Sequence, residues 1–344
     1  MEIFSPDNIE FCDLPSGHPP ILLVVIDTEE EFDWTKNFDR RNTSVTAMQY
    51  IYRAQDIFND FGIKPVYVID YPIASQPQGF EPLSNYWQDG RCEIGVHLHP
   101  WVTPPFSEEV SALNSYAGNL PPELERQKLL SLVDCIEGNM GLRPRVYKAG
   151  RYGIGSNTSR ILNELGFSVD LSVSAHMDHS GDGGPDFGKL DARPFLFGPV
   201  NDLLELPHTA GYAGFFNQAS KKWHDWAVNP KRKKWHLVGA FARLNIVNKV
   251  RLSPEGHPAW ELIALTRKLY KHGLRVFSFA FHSPSVVPGC TPYVRTEQEL
   301  QAFIKTCRRY FEFFFDELNG MSMTATDVYD ALTTSPSRKE SQAV

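Results

Sequence analysis

Three apolar, strand-like runs end abruptly in groups able to hold a metal or carry a proton, and they lie far apart in the chain. Residues 21–26 run into Asp27-Thr28-Glu29-Glu30-Glu31-Phe32-Asp33. Ile94-Gly95-Val96 runs into His97-Leu98-His99-Pro100-Trp101, and residues 276–281 run into His282-Ser283-Pro284. A buried strand that stops at a carboxylate or imidazole presents it at the mouth of a fold, where proteins of alternating strands and helices keep their chemistry. The pattern points to an enzyme, and specifically to a metal-assisted hydrolase.

The segments between these runs support that architecture. Ala47, Tyr50, Ile51, Ala54, Ile57, Phe58 and Phe61 follow helical spacing, with Gly62 placed to end the helix. Residues 64–70 read as a strand, followed by a short polar, proline-rich connection to the Ile94 strand. Leu129, Leu132, Val133 and Ile136 line a helix that starts near Pro121-Pro122. Short strands are expected at 145–147, 167–173, 203–206 and 321–324, and helices at 156–165 and 258–272. Thr296 and Glu299 form a capping-box pattern before the apolar stripe Leu300, Phe303, Ile304, Cys307, Phe311 and Phe314. This alternation favours a parallel sheet or barrel. With 344 residues, 42% of them hydrophobic, the chain can bury one large core. The expected organisation is an N-terminal segment (1–19), a single domain (20–333) and a disordered polar tail (334–344).

Bulk properties exclude several classes. A formal net charge of −7 argues against nucleic-acid binding. Cys12, Cys92, Cys135, Cys290 and Cys307 are scattered, odd in number and without a CxxC pair, so they read as reduced thiols. The first residues lack the basic-then-apolar pattern of a secretory leader, and no apolar run approaches membrane-spanning length. The expected compartment is the cytoplasm.

Side chains two apart on an extended chain face the same way. Asp27 and Glu29 can therefore share one site, Asp27 as a base and Glu29 as a metal ligand. Glu30, Glu31 and Asp33 read as a solvated acidic loop. His97 and His99 repeat the spacing, and paired imidazoles suit zinc and related cations. Trp101 reads as a pocket wall or as a core residue. His282, at a strand end, suits general acid or base work. In Lys148-Ala149-Gly150-Arg151-Tyr152-Gly153 the glycines allow close backbone approach, and exposed N–H groups suit a developing oxyanion. Lys148 or Arg151 is placed to pair with Asp27; an ordinary glycine turn is the competing reading. Asp178, His179, Asp182 and Asp186, in a Gly- and Pro-rich stretch expected to be a long loop (176–200), read as loop solvation. The basic-aromatic stretch 221–236 reads as a solvated helix face with snorkelling lysines.

The order of these motifs resembles the polysaccharide deacetylase superfamily, the NodB-homology group, and is most similar to its WalW-like branch. The resemblance spans roughly residues 20–325. It implies a distorted, incomplete (β/α) barrel with Asp27 as base, Glu29 and His97 as metal ligands, Arg151 and Tyr152 in the segment whose backbone N–H helps form the oxyanion hole, and His282 as general acid. Two departures stand out. The family pattern His-x-x-x-His has Trp101 in its second position, leaving His99 to serve as ligand, and Thr28 replaces the second Asp of the commonest first motif. Members with Trp there resemble metal-independent amide hydrolases of the allantoinase type. The expectation is a hydrolase, dependent on a divalent metal such as zinc, that removes an N-acyl group from a sugar or polysaccharide precursor. A metal-independent amide hydrolase and a non-catalytic glycan-binding protein are the competing readings.

Overall fold

The computed structural model describes residues 4, 8–15, 17–33, 36–213 and 248–333. The stretch 221–236 and the tail 334–344, each the subject of an expectation above, lie outside the described residues. The main sheet contains β1 (Glu10–Phe11), β2 (Ile21–Thr28), β3 (Val66–Ile69), β4 (Glu93–Leu98), β5 (Val146–Ala149), β6 (Val169–Asp170), β7 (Phe195–Phe197), β8 (Leu203–Glu205), β11 (Val276–His282) and β12 (Met321–Ser322). Its order is β1-β7-β8-β6-β5-β4-β3-β2-β11, with β12 also on β2. β7 runs antiparallel to both of its neighbours, β1 and β8, and the other pairings described in this sheet are parallel. Beyond β11, among the described residues, the sheet is continued by irregular backbone around Thr209 and Leu252. The Thr209 amide donates to the Ser278 carbonyl (3.3 Å), the Leu252 amide to Thr209 (2.8 Å), and the Ala280 amide to Leu252 (3.1 Å). The result is the expected distorted, incomplete barrel.

Strand alternation sorts the core into two layers. Ile21, Leu23, Val25, Val66, Val68, Val146, Val169, Leu204 and Val276 fill the interior, while Leu22, Val24, Ile26, Tyr67, Ile69, Phe277 and Phe279 face the helices. The helix Ala325–Thr333 closes the floor, with Ala325, Val328 and Leu332 packed into the interior cluster. The same parity, continued past the apolar runs, turns Asp27, His97, Lys148 and His282 inward at the opposite end. Register aligns them: Asp27 pairs with His282, and His97 with Lys148.

Several expectations are corrected. The proline-rich connection after β3 is two helices, Tyr71–Ser75 and Pro77–Gln88. Pro72 and Pro77 occupy their first turns, where a missing N–H costs nothing, while Pro82 lies inside the second; Asp70 caps the first by accepting from the Ile73 amide (2.8 Å). The loop 176–200 contains β7, which pairs with β1 and β8 despite its Gly- and Asp-rich approach. The capping box forms at the start of the helix Glu297–Glu312. Among the described residues, no helix is long and apolar enough to cross a membrane.

Candidate active site

A cavity of about 250 Å³ opens at the C-terminal end of the strands, lined among others by Asp27, Glu29, His97, His99, Lys148, Arg151, Tyr152 and His282. The structure thus gathers every sequence-selected site residue at one place. Lys148 answers the question of which cation meets Asp27: its ammonium donates to both carboxylate oxygens, at 2.5 and 2.7 Å. Burial alone would raise Asp27, but Lys148, His97 and His282 outweigh it and hold the carboxyl far below its usual range. Arg151 instead pairs with Asp182 and lies over the Tyr116 ring.

Glu29, His97 and His99 form a buried cluster. Glu29 Oε2 lies 3.5 Å from His97 Nε2 and 3.4 Å from His99 Nε2. The three ligand atoms fall within 4.8 Å of one another. Burial pushes Glu29 up to about 8 and lowers both imidazoles, so the rings are neutral. Their outer nitrogens show which side keeps the lone pair. His97 Nδ1 donates to the Lys148 carbonyl (3.2 Å) and His99 Nδ1 to Glu30 (2.8 Å), so both Nε2 atoms turn their lone pairs inward. His99 Nε2 is buried with no hydrogen-bond partner.

Glu30 is the main correction. It is not solvated; it is fully buried, and its carboxylate accepts from His99 Nδ1 and from Trp101 Nε1, both at 2.8 Å. Its parity, opposite to that of Asp27 and Glu29, was the available signal. Trp101 stacks on His99 (4.3 Å, 23°) and belongs to this support. Glu31, also expected to be solvated, accepts from Ser44, Thr46 and the Ala47 amide; Asp33 is exposed as expected.

His282 Nε2 faces Asp27 Oδ2 at 3.9 Å, and its Nδ1 donates to Glu255 Oε2 at 2.8 Å. Burial disfavours the imidazolium, but Glu255, Glu29 and Asp27 outweigh it and hold His282 well above the ordinary imidazole range. Glu255 lies in Ser253-Pro254-Glu255-Gly256, with no strand or motif to mark it. His179 and Asp182, read as loop solvation, line the cavity instead. The reason is nonlocal: Asp182 is drawn in by Arg151 and by the Tyr116 hydroxyl (2.6 Å).

The turn after β5 brings backbone close to this cluster. Arg151 and Tyr152 are consecutive non-glycine residues at φ 56° and 60°, a conformation costing about 1–3 kcal/mol each and typical of ligand clamps. Gly150 precedes them because a Cβ there would overlap the His99 ring and meet the Leu98 carbonyl at 2.7 Å. Gly150→Ala is therefore expected to destabilise the protein by about 1–3 kcal/mol through overpacking. Denaturant unfolding measures this, and a wild-type midpoint would mean that the His99 ring has room to yield.

No family model and no curated protein matches this sequence. Solved structures do match in fold. A protein assigned as a polysaccharide deacetylase from Mycobacterium smegmatis aligns over 94% of this chain and 96% of its own, with a TM-score of 0.52 and 13% identity. One so assigned from Pseudomonas aeruginosa PAO1 aligns over 92% and 91%, with a TM-score of 0.53 and 14% identity. Puue allantoinase aligns over 94% and 93%, with a TM-score of 0.50 and 14% identity. The chain has the fold of the polysaccharide deacetylases.

Proposed function

We propose that this protein is a metal-dependent hydrolase that removes an N-acyl group, acetyl in the simplest case, from an amino sugar or a glycan precursor. The observation that carries the reading is the convergence of the Asp27–Lys148 pair, the Glu29/His97/His99 cluster and His282 in one cavity. The donor set suits a divalent cation: one carboxylate and two neutral imidazoles with inward lone pairs, of which His99 Nε2 is an orphaned buried acceptor. Glu29, His97 and His99 would hold it. When bound, such an ion polarises an acyl oxygen and acidifies water.

The protein's own groups supply the proton transfers. Lys148 keeps Asp27 ionised, so it is ready to take a proton as water attacks the amide carbon. His282, whose Nε2 lies 3.9 Å from Asp27 and which Glu255 holds as imidazolium, gives a proton to the departing nitrogen. The backbone N–H of Tyr152, in the strained turn beside the cluster, serves the oxyanion. Acetate release from N-acetylated amino sugars should vanish on chelation and return with zinc. Turnover that survives complete metal removal would move the reading to metal-independent amide hydrolysis, and glycan binding without turnover would move it to a lectin-like role.

Glu255→Gln carries a pH signature. A general acid must be protonated, so activity falls as pH rises through the His282 pKa. Removing the anion lowers that pKa, and the alkaline limb of kcat/KM should move to lower pH by roughly one to three units. An unmoved limb would assign the acid elsewhere.

A further inference from the structure

Three of the cations that line the cavity have their own carboxylates. Lys148 has Asp27, Arg151 has Asp182 and His282 has Glu255. Arg251 breaks the pattern. It is the last residue of β10 (Asn248–Arg251), held opposite Ala210 of β9 (Ala210–Ala213), and it lines the same cavity. Among the described residues, no carboxylate lies within ion-pair distance of its guanidinium. Glu255 is the carboxylate within its electrostatic reach, and the oxygens of Glu255 are committed to His282 and Ser285. The guanidinium sits beside the Tyr293 hydroxyl.

The surroundings define what fits there. Tyr152 stacks on His179 (5.4 Å, 22°) and Tyr293 on His282 (6.3 Å, 7°), giving the cavity two aromatic walls. Tyr293 is 37% exposed, whereas His97 and His99 are 2% and 1% exposed, so Arg251 lies toward the mouth and the Glu29 cluster at the floor. A volume of about 250 Å³ is below the roughly 300–1,000 Å³ of pockets for larger ligands and suits a single sugar ring. A partly buried guanidinium without a carboxylate partner is a ready fork for a carboxylate or phosphate.

We propose that Arg251 is an anion-recognition residue and that the substrate is an N-acylated amino sugar bearing its own acidic group, a carboxylate or a phosphate. The sugar ring lies between the aromatic walls, its acyl group reaches the floor, and its anion stays at the mouth on Arg251. This inference rests on the deacylase reading and narrows it.

The test compares three probes that differ at one carbon: N-acetylglucosamine, N-acetylglucosaminuronic acid and N-acetylglucosamine 6-phosphate. Acetate release and calorimetric binding are measured for the zinc-loaded wild type, Arg251→Gln and Arg251→Lys. The expected result is at least a tenfold higher kcat/KM for one of the acidic probes than for the neutral sugar. The preferred acid then distinguishes carboxylate from phosphate. Arg251→Gln should raise KM for that acidic probe about tenfold with kcat little changed and leave the neutral sugar unaffected, and Arg251→Lys should recover part of the loss. Equal handling of all three probes by the wild type overturns the inference, as does an equal loss for acidic and neutral probes in Arg251→Gln, which would mark a structural role. If no probe releases acetate, the deacylase reading fails and the binding arm decides. Acidic-probe binding that is lost in Arg251→Gln supports the anion site, and its absence in the wild type refutes it.

Discussion

Asp27→Asn is expected to lower turnover of an N-acetylated amino sugar by roughly a hundred- to ten-thousandfold, the span of a lost general base. It is also expected to destabilise the fold, because Lys148 is 2% exposed and both of its bonds to Asp27 depend on the carboxylate charge. Breaking a buried pair from one side costs about 3–5 kcal/mol, since the remaining charge stays buried and unmatched. Adding Lys148→Met should return much of that stability and none of the turnover. The pH dependence has a definite sign. The folded carboxyl titrates below its unfolded value of 3.8, so the stabilisation is complete above that value and drains as pH falls toward the folded pKa. Wild type and Asp27→Asn should therefore converge in stability only in strongly acidic solution. Denaturant midpoints across pH, together with acetate release at neutral pH, check both halves. Wild-type turnover in the variant would remove Asp27 from the mechanism.

Glu30→Gln is expected to weaken zinc binding about ten- to hundredfold, as loss of a partner that orients a ligating histidine does. The Glu30 carboxylate accepts from two rings at once, His99 Nδ1–H and Trp101 Nε1–H. A glutamine offers one acceptor and one donor, so one ring loses its partner or His99 changes tautomer and turns Nε2–H toward Glu29. Competition with a chromophoric chelator reads the affinity directly, without recourse to activity. An unchanged affinity would mean that His99 does not hold the ion or does not need Glu30 to do so.

The difference between Glu29 and Glu30 shows how far linear reasoning reaches. Both belong to one acidic run, and alternation alone assigns Glu29 to the interior side. What lies on the other side depends on Asp70, His99 and Trp101, which arrive from other strands and loops, so Glu30 read as solvated. The same limit hid Glu255, which sits 27 residues before His282 in a segment without periodicity. It left Lys148 and Arg151 as equal partners for Asp27. Position in the strand separated them: Lys148 is the inward residue of β5 aligned with His97, while Arg151 lies past the strand in the strained turn.

Local order along the chain was enough to establish an alternating fold, the parity of β2, β4 and β11, and the inward course of Asp27, Glu29, His97, His99 and His282. Those features follow from backbone geometry and the burial of apolar faces, which operate over a few residues. The partners of these groups emerged from packing between distant segments: Lys148 on Asp27, Glu30 on His99, and Glu255 on His282. Charge pairing acts through space over a few ångströms, and separation along the chain carries no record of it.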